Sequence, residues 1–289
     1  MPAGMRGREG NMKKKLLGLV ACVATLALSG ALLAGCSGSG DKTGDSADGK
    51  ETLTVGFDQS YPPYGFVGDD GKFTGFDLDL AQAVCDKNGW ELKLSAIDWD
   101  AKDALLAQGN INCIWNGFTM EGREADYTFS KPYMHNEQVV VVKKDSGISS
   151  LDDLAGKNVM TQVDSAALDV LEGDQKDLAD TFAGGKAQTI GDYNNAFMQL
   201  DSGMIDAVAC DLSIAQYQIA ANPDKYVQLS TPLSTEHYAV GFKKGDTELA
   251  QKVTETLKQL DADGTVKQLC KKYASYGISY DNWVLGKRS

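Results

Sequence analysis

From Thr52 onward, strand-like and helix-like segments alternate, which confines the chain to α/β folds built on mostly parallel sheets with flanking helices. Thr52 to Phe57 reads as a strand and is followed by the turn-rich Tyr61-Pro62-Pro63-Tyr64. Phe76 to Lys87 reads as a helix: Phe76, Leu80, Ala83 and Val84 fall at helical spacing, and Asp77 and Asp79 sit early, where the helix dipole favours anions. Trp90 to Ala96 is a strand. Asp100 to Gln108 is a helix stopped at Gly109, and Ile111 to Trp115 is again a strand.

The rhythm then recurs. Ala104 to Asn116 (ALLAQGNINCIWN) and Phe197 to Asp211 (FMQLDSGMIDAVACD) share one pattern: a helix end, a glycine, an Ile followed by Asn or Asp, then an apolar strand ending in polar residues. This weak internal resemblance predicts two lobes. Ligands of open α/β sheets bind beyond the carboxyl ends of strands. Asn116, Gly117 and Thr119 hold that position in the first lobe and Asp211 holds it in the second, so two such ends facing one another would form a cleft.

With 289 residues, 43% of them hydrophobic, the chain is long enough for one large domain or two lobes. A formal net charge of -12 argues against a nucleic-acid partner, which needs clustered basic surface. No stretch beyond the N-terminus approaches the roughly 20 apolar residues of a membrane span.

The N-terminus is expected to be an address. Lys13, Lys14 and Lys15 precede an apolar run from Leu16 to Leu28, and Leu33-Ala34-Gly35-Cys36 closes the segment. A basic region, a short apolar region and a small-residue cleavage site make a secretory signal. Its ending resembles the bacterial lipobox, which implies cleavage before Cys36 and a lipid on its thiol. Met12, directly before the lysines, is the expected translation start. Residues 1–36 are thus assigned to signal and lipobox. Residues 37–51, rich in Gly, Ser, Asp, Thr and Lys, are assigned to a flexible tether. The folded body is expected outside the cytoplasm, anchored to the outer face of the cell membrane.

Cys22 leaves with the signal, and Cys85, Cys113, Cys210 and Cys270 remain beside the lipidated Cys36. No CxxC or His-Cys cluster is present, so no metal and no cofactor are expected. Export permits disulfides, yet four cysteines allow three pairings and spacing does not choose among them. Cys113 and Cys210 lie in apolar strand-like runs that suit buried free thiols. His135 and His237 are expected to be structural or surface residues.

Gly75-Phe76-Asp77-Leu78-Asp79-Leu80, continuing through Ala81-Gln82-Ala83-Val84-Cys85 to Asn88, resembles the signature of the family 3 bacterial solute-binding proteins, which serve polar amino acid importers. Gly56-Phe57-Asp58 with Tyr61-Pro62-Pro63-Tyr64 is similar to that family's first strand and ligand loop. Thr119 to Arg123 and Phe129 to Tyr133 are similar to its arginine loop and first crossover. Leu151 to Val159 resembles the start of its second lobe, and Tyr238 to Gly245 the return to the first. The likeness runs from Thr52 to Tyr273. It implies the type II periplasmic-binding-protein fold, two α/β lobes joined by two crossover strands. Residues 52–134 with 238–289 would form lobe 1 and residues 135–237 lobe 2. Two departures stand out: the arginine loop is one residue shorter than the commoner form, and Asp164 precedes Ser165 where a glycine is usual.

The resemblance assigns a site for a free L-amino acid: Asp58, Tyr61, Trp99, Asn116, Gly117, Thr119, Arg123, Gln162, Ser165, Ala166 and Asp211. Arg123 offers a planar fork for the ligand carboxylate. Thr119 and backbone groups near Gly117 and Ser165 would complete that shell, and Asp211 would accept the ammonium. Tyr61 and Trp99 would wall the side-chain pocket. Asp58, at the end of the first strand, favours a ligand with a donor at its far end and disfavours glutamate or aspartate, because like charges repel in a desolvated cleft. Each residue has a plainer alternative: Arg123 as a helix-cap partner, Asp211 and Asp58 as turn residues, Trp99 and Tyr61 as core.

The function implied is delivery of a polar or cationic amino acid, cystine included, to the permease of an ABC importer, by a monomer that is not an enzyme. Two other functions fit the same fold. One is a cyclohexadienyl dehydratase-like enzyme, for which Glu121 is the obvious spare acid near the arginine. The other is a sensor module, which would need a membrane or kinase segment that does not appear before Ser289.

Overall fold

The computed structural model describes residues 50–286. The signal, the lipobox with Cys36, and the tether up to residue 49 lie outside the described residues. Lobe 1 opens with β1 (Thr52–Phe57), then a hairpin of β2 (Ser60–Tyr61), β3 (Gly65–Val67) and β4 (Phe73–Thr74). It continues through α1 (Phe76–Asn88), β5 (Glu91–Ala96), α2 (Lys102–Gln108), β6 (Cys113–Ile114) and β7 (Tyr127–Phe129). The chain crosses to lobe 2 through β8 (Met134–Lys143). There it forms β9 (Val159–Gln162), α3 (Ala166–Glu172), α4 (Lys176–Ala179), β10 (Gln188–Ile190), α5 (Tyr193–Ser202), β11 (Ala207–Asp211), α6 (Leu212–Ala221), β12 (Tyr226–Gln228) and β13 (Ser234–Tyr238). It then re-enters lobe 1 through β14 (Gly241–Lys243), followed by α7 (Thr247–Ala262) and α8 (Thr265–Lys272).

Each lobe carries one main sheet. In lobe 1 the order is β5-β1-β6-β14-β7; in lobe 2 it is β10-β9-β11-β8-β12, with β13 also paired to β8. The expectation of mostly parallel sheets is met only in part. β5, β1 and β6 are parallel, as are β10, β9 and β11, but β14 pairs antiparallel with both β6 and β7, and β12 and β13 pair antiparallel with β8. The antiparallel strands are those entering or leaving a lobe at a crossover and their partners. Val139 to Val142 in β8 are all buried, so helices or loops cover both faces of that strand.

The internal resemblance has a structural counterpart. α2 ends at Gly109 and α5 at Gly203, both at φ 75° and ψ 18°, and each glycine is followed by a backbone bond back into the last helical turn, Asn110 to Leu105 (2.9 Å) and Met204 to Gln199 (3.0 Å). This left-handed stop turns the chain into β6 in one lobe and β11 in the other.

The Gly75-Phe76-Asp77 signature does a specific job at the head of α1. A side chain at Gly75 would lie 2.1 Å from the Tyr64 carbonyl oxygen, so only glycine lets the helix start against that turn. Asp77 then points inward, fully buried, and accepts the Gly117 N–H (2.6 Å) and the Tyr133 hydroxyl (2.7 Å). One carboxylate thus ties the first helix to the loop after β6 and to the first crossover. The chain end straps the same crossover: Trp283 is buried 5.8 Å from the Tyr133 ring, and Val284 N–H donates to the Tyr133 carbonyl at 2.9 Å.

The four cysteines downstream of Cys36 are all buried free thiols. Among the described residues no group of His, Cys, Asp and Glu is arranged to hold a metal, and no helix is long and apolar enough to cross a membrane.

Burial raises the Asp77 carboxyl from 3.8 to about 7. The folded state therefore holds a proton there that the unfolded chain gives up, so stability should fall as pH rises from about 4 to about 7. Urea unfolding at pH 5 and pH 7.5 checks this: Asp77→Asn should flatten the pH dependence, and an unchanged slope would refute the assignment.

Candidate functional site

The strand ends bring the sequence-nominated residues to the seam between the lobes, in two neighbouring clusters. The first is centred on Asp58 and Tyr61. Asp58, 6% exposed, accepts the Ser60 N–H (2.7 Å) and the Gln162 amide of the other lobe (2.8 Å). It fixes the turn after β1 and also bridges the lobes. Burial raises its pKa, and the two donors only partly offset that. Tyr61 is buried against Tyr64 and Tyr193, and its hydroxyl lies 3.4 Å from that of Tyr238. Gly117, at φ 59°, passes so close that a side chain there would lie 3.0 Å from the Tyr238 ring and 3.2 Å from Tyr61. Asn116 is 1% exposed, and neither polar atom of its amide has a hydrogen-bond partner among the described residues.

Asp211 lies at the base of this cluster, 4% exposed. Its Oδ1 accepts from Asn136 (2.9 Å), Gln138 (2.8 Å) and the Tyr238 hydroxyl (2.9 Å), all neutral donors. Although it stands directly before α6, it makes no side-chain cap bond there, so the turn-residue alternative does not describe it. Burial raises its pKa.

The second cluster surrounds Asp164, whose φ of 53° makes it the one non-glycine residue with positive φ among the described residues. Asp tolerates this left-handed conformation better than most residues, so the backbone a glycine would adopt is kept here with a carboxylate added. Three side chains of lobe 1 converge on it. Trp99 Nε1 donates to its carbonyl (3.1 Å), Arg123 donates to the same carbonyl (3.2 Å), and Lys102 Nζ lies 3.3 Å from its carboxylate. Lys102 is itself buried, 4% exposed, and its ammonium sits 5.4 Å from the Trp99 ring centre.

Arg123 therefore belongs to the seam and is no helix-cap partner. Its guanidinium also pairs with Asp169 of lobe 2 (2.8 Å) and lies over the Phe118 ring at 5.0 Å. Trp99 packs edge-on against Phe118 at 5.7 Å. A cavity of about 530 Å³ opens beside Arg123, with Lys102, Asp103, Asp126, Asp164 and Asp169 in its wall. Asp58, Tyr61, Asn116 and Asp211 do not line it. The arginine and Asp211, paired in the sequence argument, thus sit in different clusters.

Thr119 is placed differently from expectation. Its hydroxyl donates to Glu236 (2.6 Å), so that proton is committed to a carboxylate of the protein. Ser165 caps α3 by accepting the Leu168 N–H (3.2 Å) and lies 3.1 Å from the Thr161 hydroxyl; Ala166, beside it, is buried. Glu121 accepts the His237 backbone N–H (2.9 Å) and lies 2.8 Å from its ring Nδ1.

Sequence reasoning missed Asn136, Gln138, Glu236 and Tyr238. The signal for them was available: on β8 the inward positions 136 and 138 are polar just before an unbroken valine run, and on β13 positions 236 and 238 alternate with exposed or half-buried neighbours.

With this geometry established, comparison with known proteins is direct. Residues 53–276 match the model of the bacterial extracellular solute-binding proteins, family 3. The arginine-binding extracellular protein ArtP of Bacillus subtilis is 31% identical over 91% of this chain and 98% of its own. The L-cystine-binding protein TcyJ of Escherichia coli is 30% identical over 77% of this chain and 82% of its own. A crystal structure of an ABC uptake transporter substrate binding protein from Streptococcus pneumoniae with bound histidine is 35% identical, superposes with a TM-score of 0.76, and covers 79% of this chain and 94% of that one. The two lobes with their crossovers are thus the type II periplasmic-binding fold of these relatives, and the chain belongs to the bacterial extracellular solute-binding proteins, family 3.

Proposed function

We propose that the seam between the lobes captures a free polar or cationic L-amino acid and that the protein delivers it to an ABC importer. The observation carrying this is Asp211: a buried carboxylate whose described hydrogen-bond donors are two amides and the phenols of Tyr238 and Tyr61, none of them charged. Burying such a group is costly unless an opposite charge arrives, and a ligand ammonium is that charge. Asp58 repeats the arrangement, with a backbone N–H and an amide as donors, and suits a second positive or donor-bearing group at the ligand's far end. Arg123 supplies the fork for the carboxylate by exchanging its contact with Asp169 for the ligand. Tyr61, Trp99, Asn116, Gly117, Gln162, Ser165 and Ala166 complete the proposed site, and Thr119 borders it with its hydroxyl proton held by Glu236. The unpartnered Asn116 amide fits a ligand donor or acceptor.

The bound ligands of the relatives support this reading: arginine and cystine by name, histidine in a crystal. We place the lobe boundaries at the crossovers, near 134/135 and 237/238. We further infer a monomer held at the outer face of the membrane through a lipid on Cys36, with a permease as partner.

Calorimetry of the ligand-free protein against the standard amino acids and cystine should find micromolar or tighter binding for at least one with a distal donor; no heat with any of them removes this function. For that ligand, Arg123→Ala should weaken binding about thirtyfold or more, corresponding to roughly 2 kcal/mol for a lost charge-assisted pair. An unchanged affinity takes Arg123 out of the site. Gln162→Ala strips the buried Asp58 of its cross-lobe donor and should disfavour closure by about 1–3 kcal/mol, seen as a larger radius of gyration by small-angle scattering. Cys36→Ser should move the expressed protein from the membrane fraction to the medium or periplasm, and unchanged membrane association would exclude the anchor.

A further inference from the structure

Glu236 is the residue at this site that the amino acid reading does not use. It lies on β13, 2% exposed, opposite Asn136 of β8 in the antiparallel register. Its Oε1 accepts from Thr119 (2.6 Å), Asn136 (2.7 Å) and Gln138 (2.7 Å). The same two amide nitrogens also donate to Asp211 Oδ1, at 2.9 and 2.8 Å. Each amide NH2 has two hydrogens, and each spends one on either carboxylate. Because Gln138 Nε2 stands 2.8 Å from one oxygen and 2.7 Å from the other, the two acidic oxygens lie within about 5.5 Å of each other.

Two like charges that close, away from water, are not both held at neutral pH by neutral donors. Among the described residues, the surrounding groups supply no compensating cation. β11 contributes Asp211 itself, β13 contributes Tyr238, and β2 brings the Tyr61 hydroxyl to within 3.4 Å of the Tyr238 hydroxyl. His135 and Glu137 on β8 and His237 on β13 alternate with the inward residues and so face the opposite side. There His237 engages Glu121 and His135 lies 3.7 Å from Glu137. On the loop that carries Thr119, Arg123 is paired with Asp169 across the seam.

We propose that Glu236 is a positioning residue for Asp211: the two carboxylates hold one proton between them until a ligand ammonium reaches Asp211, and capture of the amino acid releases that proton to solvent. This rests on the ammonium-binding role given to Asp211 above. The balance is simple, one cation in and one proton out, so the pair carries one net charge less than its two carboxylates would and never buries both uncompensated. Burial, with Asp211 beside it, raises Glu236 from 4.5 to about 7, and burial raises Asp211 as well. The sign follows. Below about pH 7 the ligand must displace a proton, so affinity falls as pH drops, by up to about tenfold per unit. Above that pH it levels off.

Two measurements on the full chain test this separately from the amino acid reading. In ligand-free protein with ¹³C-labelled glutamate carboxyls, one resonance should titrate near pH 7 and be missing from Glu236→Gln. If every glutamate titrates below pH 5, the shared proton does not exist. L-Arginine, whose own groups do not titrate near pH 6, is then added at pH 6 in two buffers of different ionisation enthalpy. Wild type should release about one proton per ligand bound more than Glu236→Gln, since any release from Asp58, intact in both, cancels in the difference. Binding without proton release in wild type overturns the proposal. If L-arginine, L-histidine and L-cystine all fail to bind at any pH, the amino acid reading falls, and the carboxyl titration still decides the shared proton. Should Glu236→Gln fail to fold, Thr119→Val removes a donor that favours the charged carboxylate and should move the titration midpoint upward; an unmoved midpoint counts against the pair.

Discussion

Burying carboxylates where two lobes meet is the constraint around which the rest of the molecule is arranged. Asp58, Asp77, Asp211 and Glu236 are each no more than 6% exposed, and the hydrogen bonds described for them come from neutral donors. An ionised carboxylate taken from water costs several kcal/mol unless it is paired or protonated. The fold meets that cost with backbone N–H groups, amides and phenols brought in from separate elements. The seam is therefore rich in acceptors and ready for positive charge before any ligand is considered.

Recognition and support are carried by different residues. The most recognisable stretch, Gly75-Phe76-Asp77, supports: Asp77 holds the Gly117 N–H and the first crossover together. Gly117 in turn lets the loop pass against Tyr61 and Tyr238. Between the lobes, Asp164 receives Trp99, Arg123 and Lys102, and Asp58 receives Gln162. The departure from glycine at that position keeps the left-handed backbone and adds a carboxylate for a buried lysine.

Relatives near 30% identity share this frame while their names cite different amino acids. That is what the geometry leads one to expect. The frame is set by glycines, apolar strands and Asp77, and under the proposed function ligand choice would fall to a few side chains around Asp58, Gln162 and Asn116.

The sequence determined the local elements and the two-lobed plan, because periodicity and left-handed glycine stops act over a few residues: α1, β5 and the matched turns at Gly109 and Gly203 were all legible. It also pointed to Asp58, Arg123 and Asp211 as groups worth attention. It did not show that β14, β12 and β13 run against their neighbours, since strand direction is set by where the chain re-enters a sheet. Nor did it show that Thr119 serves Glu236, that Arg123 reaches Asp169 and Asp164, or that Asn136 and Gln138 clamp two acids at once. Those pairings join residues 41 to 117 positions apart. Pairing of β8 with β11 and β13 inside one sheet brings the amides to the two acids, and packing of one lobe against the other brings Thr119 and Arg123 to their partners; no local pattern encodes either.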